Sequence, residues 1–202
     1  MLEATALVLA HPDDEVIFGW PLLRQAKHLL ICSSDFNNPK RMFGTRRRDA
    51  VQAVCDKNGV NLVCLDYPSE FYKLNERNGE LEAFCQDILD HLPDANVIFT
   101  HNPEGEYGHM DHKLVHDIVA HSGRTMQWSD MFVKTTWVPW DGLSEQSFRD
   151  TLRVGEYKID MDWYVEMQIE YARKRCWTWC FPPVPTCRIY EAKRRHGIRE
   201  AN

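Results

Sequence analysis

The sequence predicts an α/β protein, a single Rossmann-like domain in which a mostly parallel sheet is flanked by helices. Short apolar runs alternate along the chain with segments of helical length and periodicity, which is typical of successive βαβ units. A cluster of polar side chains also follows directly after the first apolar run, Ala6-Leu7-Val8-Leu9-Ala10. The 202 residues are enough to bury one core and few for two full domains, so we expect residues 1–202 to form one domain.

Five segments predict strands: Thr5–Ala10, Leu29–Ser33, Leu62–Leu65, Val97–Thr100 and Met131–Val138. Five others predict helices: Val16–Lys27, Thr45–Lys57, Leu81–Leu92, His109–His121 and Asp160–Lys174. No G-x-G-x-x-G motif follows the first strand, which disfavours a dinucleotide-binding protein.

Composition excludes several classes of partner. The formal net charge of −6 disfavours a general nucleic-acid binder, whose footprint is a basic stripe. No apolar run reaches the length of a membrane span or a signal peptide, so we expect a cytoplasmic enzyme domain with no membrane contact. The seven cysteines are expected to be mostly buried, reduced thiols. A homo-oligomer is compatible with the sequence.

The polar cluster after the first strand is His11-Pro12-Asp13-Asp14-Glu15. Open α/β sheets build their sites where strands end, and an acidic pair at that point also commonly caps the next helix. Capping accounts for an aspartate but leaves His11 unexplained, whereas a metal site uses the histidine as well.

A second cluster, His109-Met110-Asp111-His112, closes a later strand and loop. Catalytic zinc usually takes three protein ligands of the His and Asp/Glu type and keeps one position open. His11, Asp14 and either His109 or His112 would supply this set, with the other histidine facing the reacting group. A solvent-facing pair of helix histidines is the alternative for an isolated H-x-x-H.

The two motifs together, HPDDE and THNPEGEYGHMDH (Thr100 to His112), resemble those of the PIG-L/LmbE-like N-acetylglucosaminyl deacetylases. The resemblance covers roughly residues 4–120. It implies a zinc-dependent hydrolase that removes the N-acetyl group from an amino sugar within a small conjugate, such as a glycoside or nucleotide sugar. Two alternatives remain: a metal amidase acting on another N-acyl substrate, and a metal- or carbohydrate-binding module without turnover.

The resemblance implies that His11, Asp14 and His112 hold one Zn²⁺ per chain. Such a donor set would also accept Fe²⁺ or Co²⁺, since the affinity order alone does not select the metal. By the same resemblance, Asp13 is the general base, and His109 stabilises the oxyanion or delivers a proton, with Asp111 as its orienting partner.

Two substrate-binding residues also follow from the resemblance, Tyr107 and Arg46, the latter in an Arg-x-x-Asp segment like the family's Arg-x-x-Glu. For Arg47 and Arg48, a solvated charge run paired with Asp49 is the favoured interpretation. Residues 121–202 match the family poorly and are rich in aromatic residues, including Trp137, Trp140, Trp177 and Trp179. We expect this half to contribute the rim of the substrate cleft, although aromatic side chains lie more often in a core.

Overall fold

A seven-stranded mixed sheet forms the centre of the protein in a computed structural model, which describes residues 5–34, 45–136, 140, 142–176 and 183–192. The strands are β1 (Thr5–Leu9), β2 (Ala26–Ser33), β3 (Asn61–Tyr67), β4 (Val97–Phe99), β5 (Thr125–Ser129), β6 (Thr151–Lys158) and β7 (Thr186–Ala192). Their order across the sheet is β3-β2-β1-β4-β5-β7-β6.

The first five strands are parallel, and the last two are antiparallel additions at one edge. β1 pairs in parallel with both β2 and β4, β2 pairs with β3, and β4 pairs with β5. β7 runs antiparallel to β5, and β6 antiparallel to β7. The predicted fold class, a mostly parallel sheet of the Rossmann type, is therefore confirmed.

Two apolar layers cover the sheet because alternate side chains of a strand point to opposite faces. Leu7 and Leu9 of β1 belong to one buried cluster, while Val8 and Ala10 belong to the other. Each layer is completed by helices, so the central strand β1 is buried on both sides, as expected for a parallel sheet.

The helices are α1 (Asp14–Ile17), α2 (Trp20–Leu23), α3 (Arg46–Asn58), α4 (Glu80–Asp90), α5 (Gly105–Gly108), α6 (Met110–His121) and α7 (Met161–Arg173). The layer that contains Leu7 packs against α1, α2, α3 and α7, and the other layer packs against α4 and α6. The predictions for α3, α4, α6 and α7 agree with the structure to within two residues at each end.

The predicted helix Val16–Lys27 is wrong. Two single helical turns replace it, and Ala26 and Lys27 already belong to β2. The chain changes direction at Gly19, where an added Cβ would lie 2.8 Å from Leu7 Cδ2 and 2.9 Å from the carbonyl oxygen of Glu15. Close packing of this turn onto β1 therefore decides the local structure, and periodicity alone does not report it.

The predicted strand Met131–Val138 is also wrong. The fifth strand lies earlier, at Thr125–Ser129, and residues 131–135 have no regular structure, while 137–139 lie outside the described residues. In β5 only Met126, Trp128 and Ser129 are buried, so the apolar pattern that would have predicted this strand is short. Residues 131–133 instead pack onto the loop after β4, where Val133 N donates to the Glu106 carbonyl oxygen.

Membrane spans and cysteine pairing can be checked in the described part of the chain. No helix in the described part of the chain is long and apolar enough to cross a membrane. The six cysteines there, Cys32, Cys55, Cys64, Cys85, Cys176 and Cys187, are free thiols, and Cys180 lies outside the described part.

Candidate metal centre and active site

Both polar motifs lie at the carboxyl edge of the sheet, after β1 and after β4. β1 and β4 are neighbours in the sheet, and the strand order reverses between them. The chain continues from β1 to β2 and β3 on one side, whereas β5 lies on the far side of β4. This reversal is the switch point at which open α/β sheets form their ligand crevices. The fold therefore brings the first motif, His11 to Glu15, against the second, Thr100 to His112.

Three donor atoms converge at this point. His11 Nδ1 lies 3.3 Å from His112 Nε2 and 3.4 Å from Asp14 Oδ2, and His112 Nε2 lies 3.5 Å from Asp14 Oδ2. Metal bonds of about 2.0–2.1 Å with tetrahedral angles place ligand atoms about 3.4 Å apart. The distances and the chemistry of the donors therefore fit three ligands of a tetrahedral zinc ion.

Hydrogen bonds to carboxylates fix which nitrogen of His11 and of His112 faces the centre. Asp111 Oδ2 lies 2.9 Å from His11 Nε2, and Glu106 Oε2 lies 2.7 Å from His112 Nδ1. Since an ionised carboxylate only accepts, these ring nitrogens donate, and the lone pairs of His11 Nδ1 and His112 Nε2 remain for a metal. Carboxylates paired with ligand histidines in this way are common around metal ions.

The charges around the centre favour a positive occupant. Burial by itself lowers the pKa of His11, but its hydrogen bonds and charge interactions with Asp111 and Asp14 outweigh burial and raise the pKa to about 9. Burial likewise opposes ionisation of Glu106, yet the adjacent His101 and His112 lower its pKa to about 2. The carboxylates thus attract either a proton or a cation to the cluster.

Asp13 lies beside the candidate ligands in a strained backbone conformation, with φ 107°. Its carboxylate Oδ2 is 2.8 Å from the Arg47 guanidinium, which also donates to the carbonyl oxygen of Pro12. Arg47 is 2% exposed, so the expectation of a solvated arginine is wrong at this position. Arg48 is exposed as expected, but its ion-pair partner is Asp66 and not the expected Asp49.

His109 is the N-cap residue of α6, where its Nδ1 accepts a hydrogen bond from Asp111 N over 3.2 Å. Burial, together with the charges of His112 and His11, lowers the pKa of His109 to about 3. A neutral ring that accepts at Nδ1 carries its proton on Nε2, which makes Nε2–H a hydrogen-bond donor.

The Asp111 carboxylate, in the first turn of α6, binds groups outside its own helix. In addition to His11, it accepts hydrogen bonds from Glu70 N at 2.7 Å and Tyr72 N at 3.0 Å. Asp111 contacts His109 only through its backbone N–H, which donates to His109 Nδ1. The Asp111 carboxylate therefore orients His11 and does not orient His109.

The two predicted substrate-binding residues occupy different positions. The Tyr107 ring lies 5.5 Å from the ring of His109 and 5.4 Å from that of His112, at the edge of the centre. Arg46 begins α3 one residue before Arg47, and its side chain is partly buried.

Part of the predicted rim packs close to the second motif. Asn102 Nδ2 donates to the Met131 carbonyl oxygen, and Glu104 Oε1 accepts from Ser144 N and from Ser147 Oγ. Trp140 is 43% exposed, whereas Trp128 is buried. Trp137, Trp177 and Trp179 lie outside the described residues.

Sequence reasoning missed Arg47, His101 and Glu106. His101 Nδ1 lies 3.0 Å from Glu106 Oε2, and His101 Nε2 lies 3.4 Å from Asp14 Oδ2. His101 Nε2 also accepts from Ala10 N at 3.0 Å, which engages the lone pair a metal would need. The sequence did hold a clue, because a histidine directly after β4 and a glutamate inside the second motif both fall at the strand end where sites form.

The chain belongs to the PIG-L family, described as GlcNAc-PI de-N-acetylases, because the family model matches residues 6–122, more than half of the sequence. A curated relative, uncharacterized protein L374 of Acanthamoeba polyphaga mimivirus, is 27% identical over 122 residues. That match covers 54% of this chain and 53% of the viral protein, so the chain spans about half the length of this relative.

Solved structures with the same fold include the A40926 pseudoaglycone deacetylase Dbv21, with a TM-score of 0.58, 15% identity and coverage of 86% of this chain and 81% of that one. A deacetylase from teicoplanin biosynthesis has a TM-score of 0.61 at 11% identity, over 95% and 99% of the two chains. GalB, a 4-carboxy-2-hydroxymuconate hydratase from Pseudomonas putida KT2440, has a TM-score of 0.56 at 12% identity, over 95% and 97%. These likenesses establish the fold, which serves both deacetylases and a hydratase, so the reaction has to be argued from the site.

Proposed function

We propose that this protein is a zinc-dependent hydrolase that removes the N-acetyl group from an N-acetylated amino sugar within a small conjugate. The observation that carries the proposal is the convergence of His11 Nδ1, Asp14 Oδ2 and His112 Nε2 within 3.3–3.5 Å of one another. Asp13 and His109 lie beside this group, and neither side chain is needed to complete it.

The metal ion would be held by His11, Asp14 and His112, and when bound it would supply a Lewis acid and lower the pKa of water. Asp13 accepts a proton from the attacking water and can return it to the leaving amine, which needs a proton to depart. Arg47 keeps the Asp13 carboxylate in place through their buried ion pair. His109 donates its Nε2–H to the oxygen of the amide carbonyl as negative charge develops there.

The amino-sugar substrate rests on the family and on the neighbouring folds. The family is described by de-N-acetylation of GlcNAc-PI, and two structural neighbours are named as deacetylases of antibiotic biosynthesis. Tyr107 at the edge of the centre, Arg46 at the start of α3, and the segments that follow β5 are the proposed substrate contacts. A cytoplasmic location, a single domain over residues 1–202 and a homo-oligomer stay predictions.

Two alternative functions differ from the proposed one in substrate range or in turnover. A metal amidase for other N-acyl substrates would use the same residues and differ only in the rim. A metal- or carbohydrate-binding module would need neither Asp13 nor His109, and the presence of both favours catalysis.

Acetate release from a panel of N-acetylhexosamine glycosides and nucleotide sugars tests the proposal, with sugar-free N-acetyl amides as the comparison. Release is expected only from the sugar conjugates, and it should stop with a chelator and return on addition of zinc. Equal rates on sugar-free amides would favour the amidase instead. Tight zinc binding with no release from any conjugate would overturn the proposed activity and favour the binding module.

A further inference from the structure

Glu106 is a buried carboxylate with one oxygen shared between two imidazole rings. Its Oε2 lies 2.7 Å from His112 Nδ1 and 3.0 Å from His101 Nδ1, and the residue is 1% exposed. The rings of His101 and His112 stack with their centroids 3.8 Å apart, which lets a single oxygen serve both. The proposed chemistry assigns no role to Glu106 beyond its hydrogen bond to His112, and its contact with His101 has no role in it.

We infer that Glu106 is a positioning residue that sets the tautomers of His112 and His101, and that through them it holds both sides of the metal centre. The inference rests on the metal centre of the proposed function and not on the reaction or the substrate.

The first connection from Glu106 reaches a ligand directly. Because the carboxylate only accepts, it keeps a proton on His112 Nδ1 and leaves the Nε2 lone pair facing His11 and Asp14. The opposite tautomer would place a hydrogen where the metal bond has to form.

The second connection runs through His101 to the loop after β1. With its proton on Nδ1 facing Glu106, His101 accepts the Ala10 N–H at Nε2 over 3.0 Å. Ala10 directly precedes His11, so this hydrogen bond fixes the backbone from which the other histidine ligand extends. One carboxylate thus links a ligand on α6 to the strand end that carries the remaining two ligands.

The backbone at Glu106 is held for this role. Its φ of 55° is in the left-handed region that non-glycine residues rarely adopt. The conformation is stabilised by hydrogen bonds from Asn102 N to Glu106 Oε1 and from Glu106 N to Asn102 Oδ1, at 2.9 and 3.1 Å. The rest of the structure therefore maintains a strained conformation that directs this carboxylate at the two rings.

The experiment measures zinc affinity, by competition with a chromophoric chelator, for the wild-type chain, Glu106→Gln and Glu104→Gln. In Glu106→Gln an amide N–H₂ must face either the two ring N–H groups or Asn102 N–H. Zinc affinity is expected to fall about 10–100-fold, the usual effect of losing such a partner. Glu104→Gln is the matched control because Glu104 lies on the same loop but bonds to Ser144 and Ser147, so its affinity should equal that of the wild type.

Imidazole ¹⁵N NMR of the zinc-free proteins separates positioning from packing. His112 should carry its proton on Nδ1 in the wild type and in Glu104→Gln, and lose this preference in Glu106→Gln. An affinity loss with unchanged tautomers, or no affinity loss, overturns the inference. Failure of the wild type to bind zinc overturns both the inference and the proposed metal centre.

His101→Phe tests the second connection and keeps the inference falsifiable if Glu106→Gln does not fold. This variant keeps the ring stacked on His112 but removes the link to Ala10. Zinc affinity is expected to fall about 10-fold, the lower end of the usual effect, while the His112 tautomer is retained. Wild-type affinity in His101→Phe would overturn the part of the inference that runs through Ala10.

Discussion

The guanidinium of Arg47 lies 2.8 Å from the carboxylate of Asp13, and both side chains are buried. Two elements that are distant in sequence, the loop after β1 and the first turn of α3, are joined by this ion pair. The pair holds the proposed base beside the proposed metal ligands. A buried ion pair adds little net stability as a unit, yet it becomes costly when one partner is removed.

Arg47→Met should therefore lower the free energy of unfolding by about 3–5 kcal/mol, because it leaves the Asp13 carboxylate buried without this cation. Arg48→Met is the matched control, since Arg48 pairs with Asp66 at the surface and such pairs contribute about 0–1 kcal/mol. Adding Asp13→Asn to Arg47→Met should restore part of the loss. Urea denaturation measures all of these variants, and equal stability of the two arginine variants would contradict a role for the buried pair.

Metal content tests the ligand assignment. His112→Ala and Asp14→Ala should each lose bound zinc, because two remaining protein ligands hold the ion poorly. His121→Ala, an exposed histidine at the end of the same helix, should retain it. Elemental analysis of the purified proteins reports occupancy, and full occupancy in His112→Ala would exclude His112 as a ligand.

Asp13→Asn should keep the zinc and lower turnover at least about 10²-fold, the usual scale for lost acid–base help. It should also be less stable than wild type, because Arg47 loses its buried carboxylate partner. The amide retains the shape of the side chain but accepts no proton at neutral pH. Turnover close to wild type, with zinc retained, would rule out Asp13 as the base.

Glu15 connects the first motif to α7 and should make stability depend on pH. Its Oε1 accepts from Tyr171 OH at 2.6 Å and its Oε2 accepts from Asp13 N at 2.9 Å, yet burial dominates and raises its pKa from 4.5 to about 8. The folded state therefore binds more protons than the unfolded state between these values, so its contribution to stability falls as pH rises through that range.

Glu15→Gln should remove this contribution, because the amide does not ionise. Its oxygen can accept from Asp13 N, and its N–H₂ can donate to the Tyr171 hydroxyl oxygen. Relative to wild type, the zinc-free variant should gain stability steadily from pH 5 to pH 8, roughly the interval between the two pKa values. Glu82→Gln, an exposed position on α4, is the control and should follow wild type. A constant difference between Glu15→Gln and wild type at every pH would contradict the raised pKa.

Apolar runs and helical periodicity in the sequence predicted four of the strands and four of the helices. The strands that form β1 to β4 are apolar runs, and α3, α4, α6 and α7 repeat their apolar residues with helical periodicity. β6 was not predicted because it is an edge strand whose larger side chains, such as Leu152 and Val154, are exposed. The turn at Gly19 depends on contact with Leu7, which no local window contains.

The candidate site likewise contains residues that the sequence predicts and residues that only the structure identifies. His11, Asp14 and His112 stand in motifs whose spacing predicts metal binding. Arg47 contacts Asp13, and Glu106 contacts His112 and His101. The proposals for these two residues rest on distances between side chains, which the sequence does not contain.

His109→Ala separates the proposed role of His109 from that of a metal ligand. The test is needed because a nitrogen of His109 also lies within 4.8 Å of donor atoms of His11 and His112. The Asp111 N–H at Nδ1 leaves Nε2–H as the donor of a neutral ring, which suits an oxyanion contact. His109→Ala should therefore retain stoichiometric zinc and bind substrate with little change in affinity. Its turnover should fall about 10²–10³-fold, the size of a missing oxyanion donor. Zinc analysis and steady-state kinetics on the same preparation distinguish the roles, since loss of zinc from His109→Ala together with its retention in His112→Ala would exchange the two assignments.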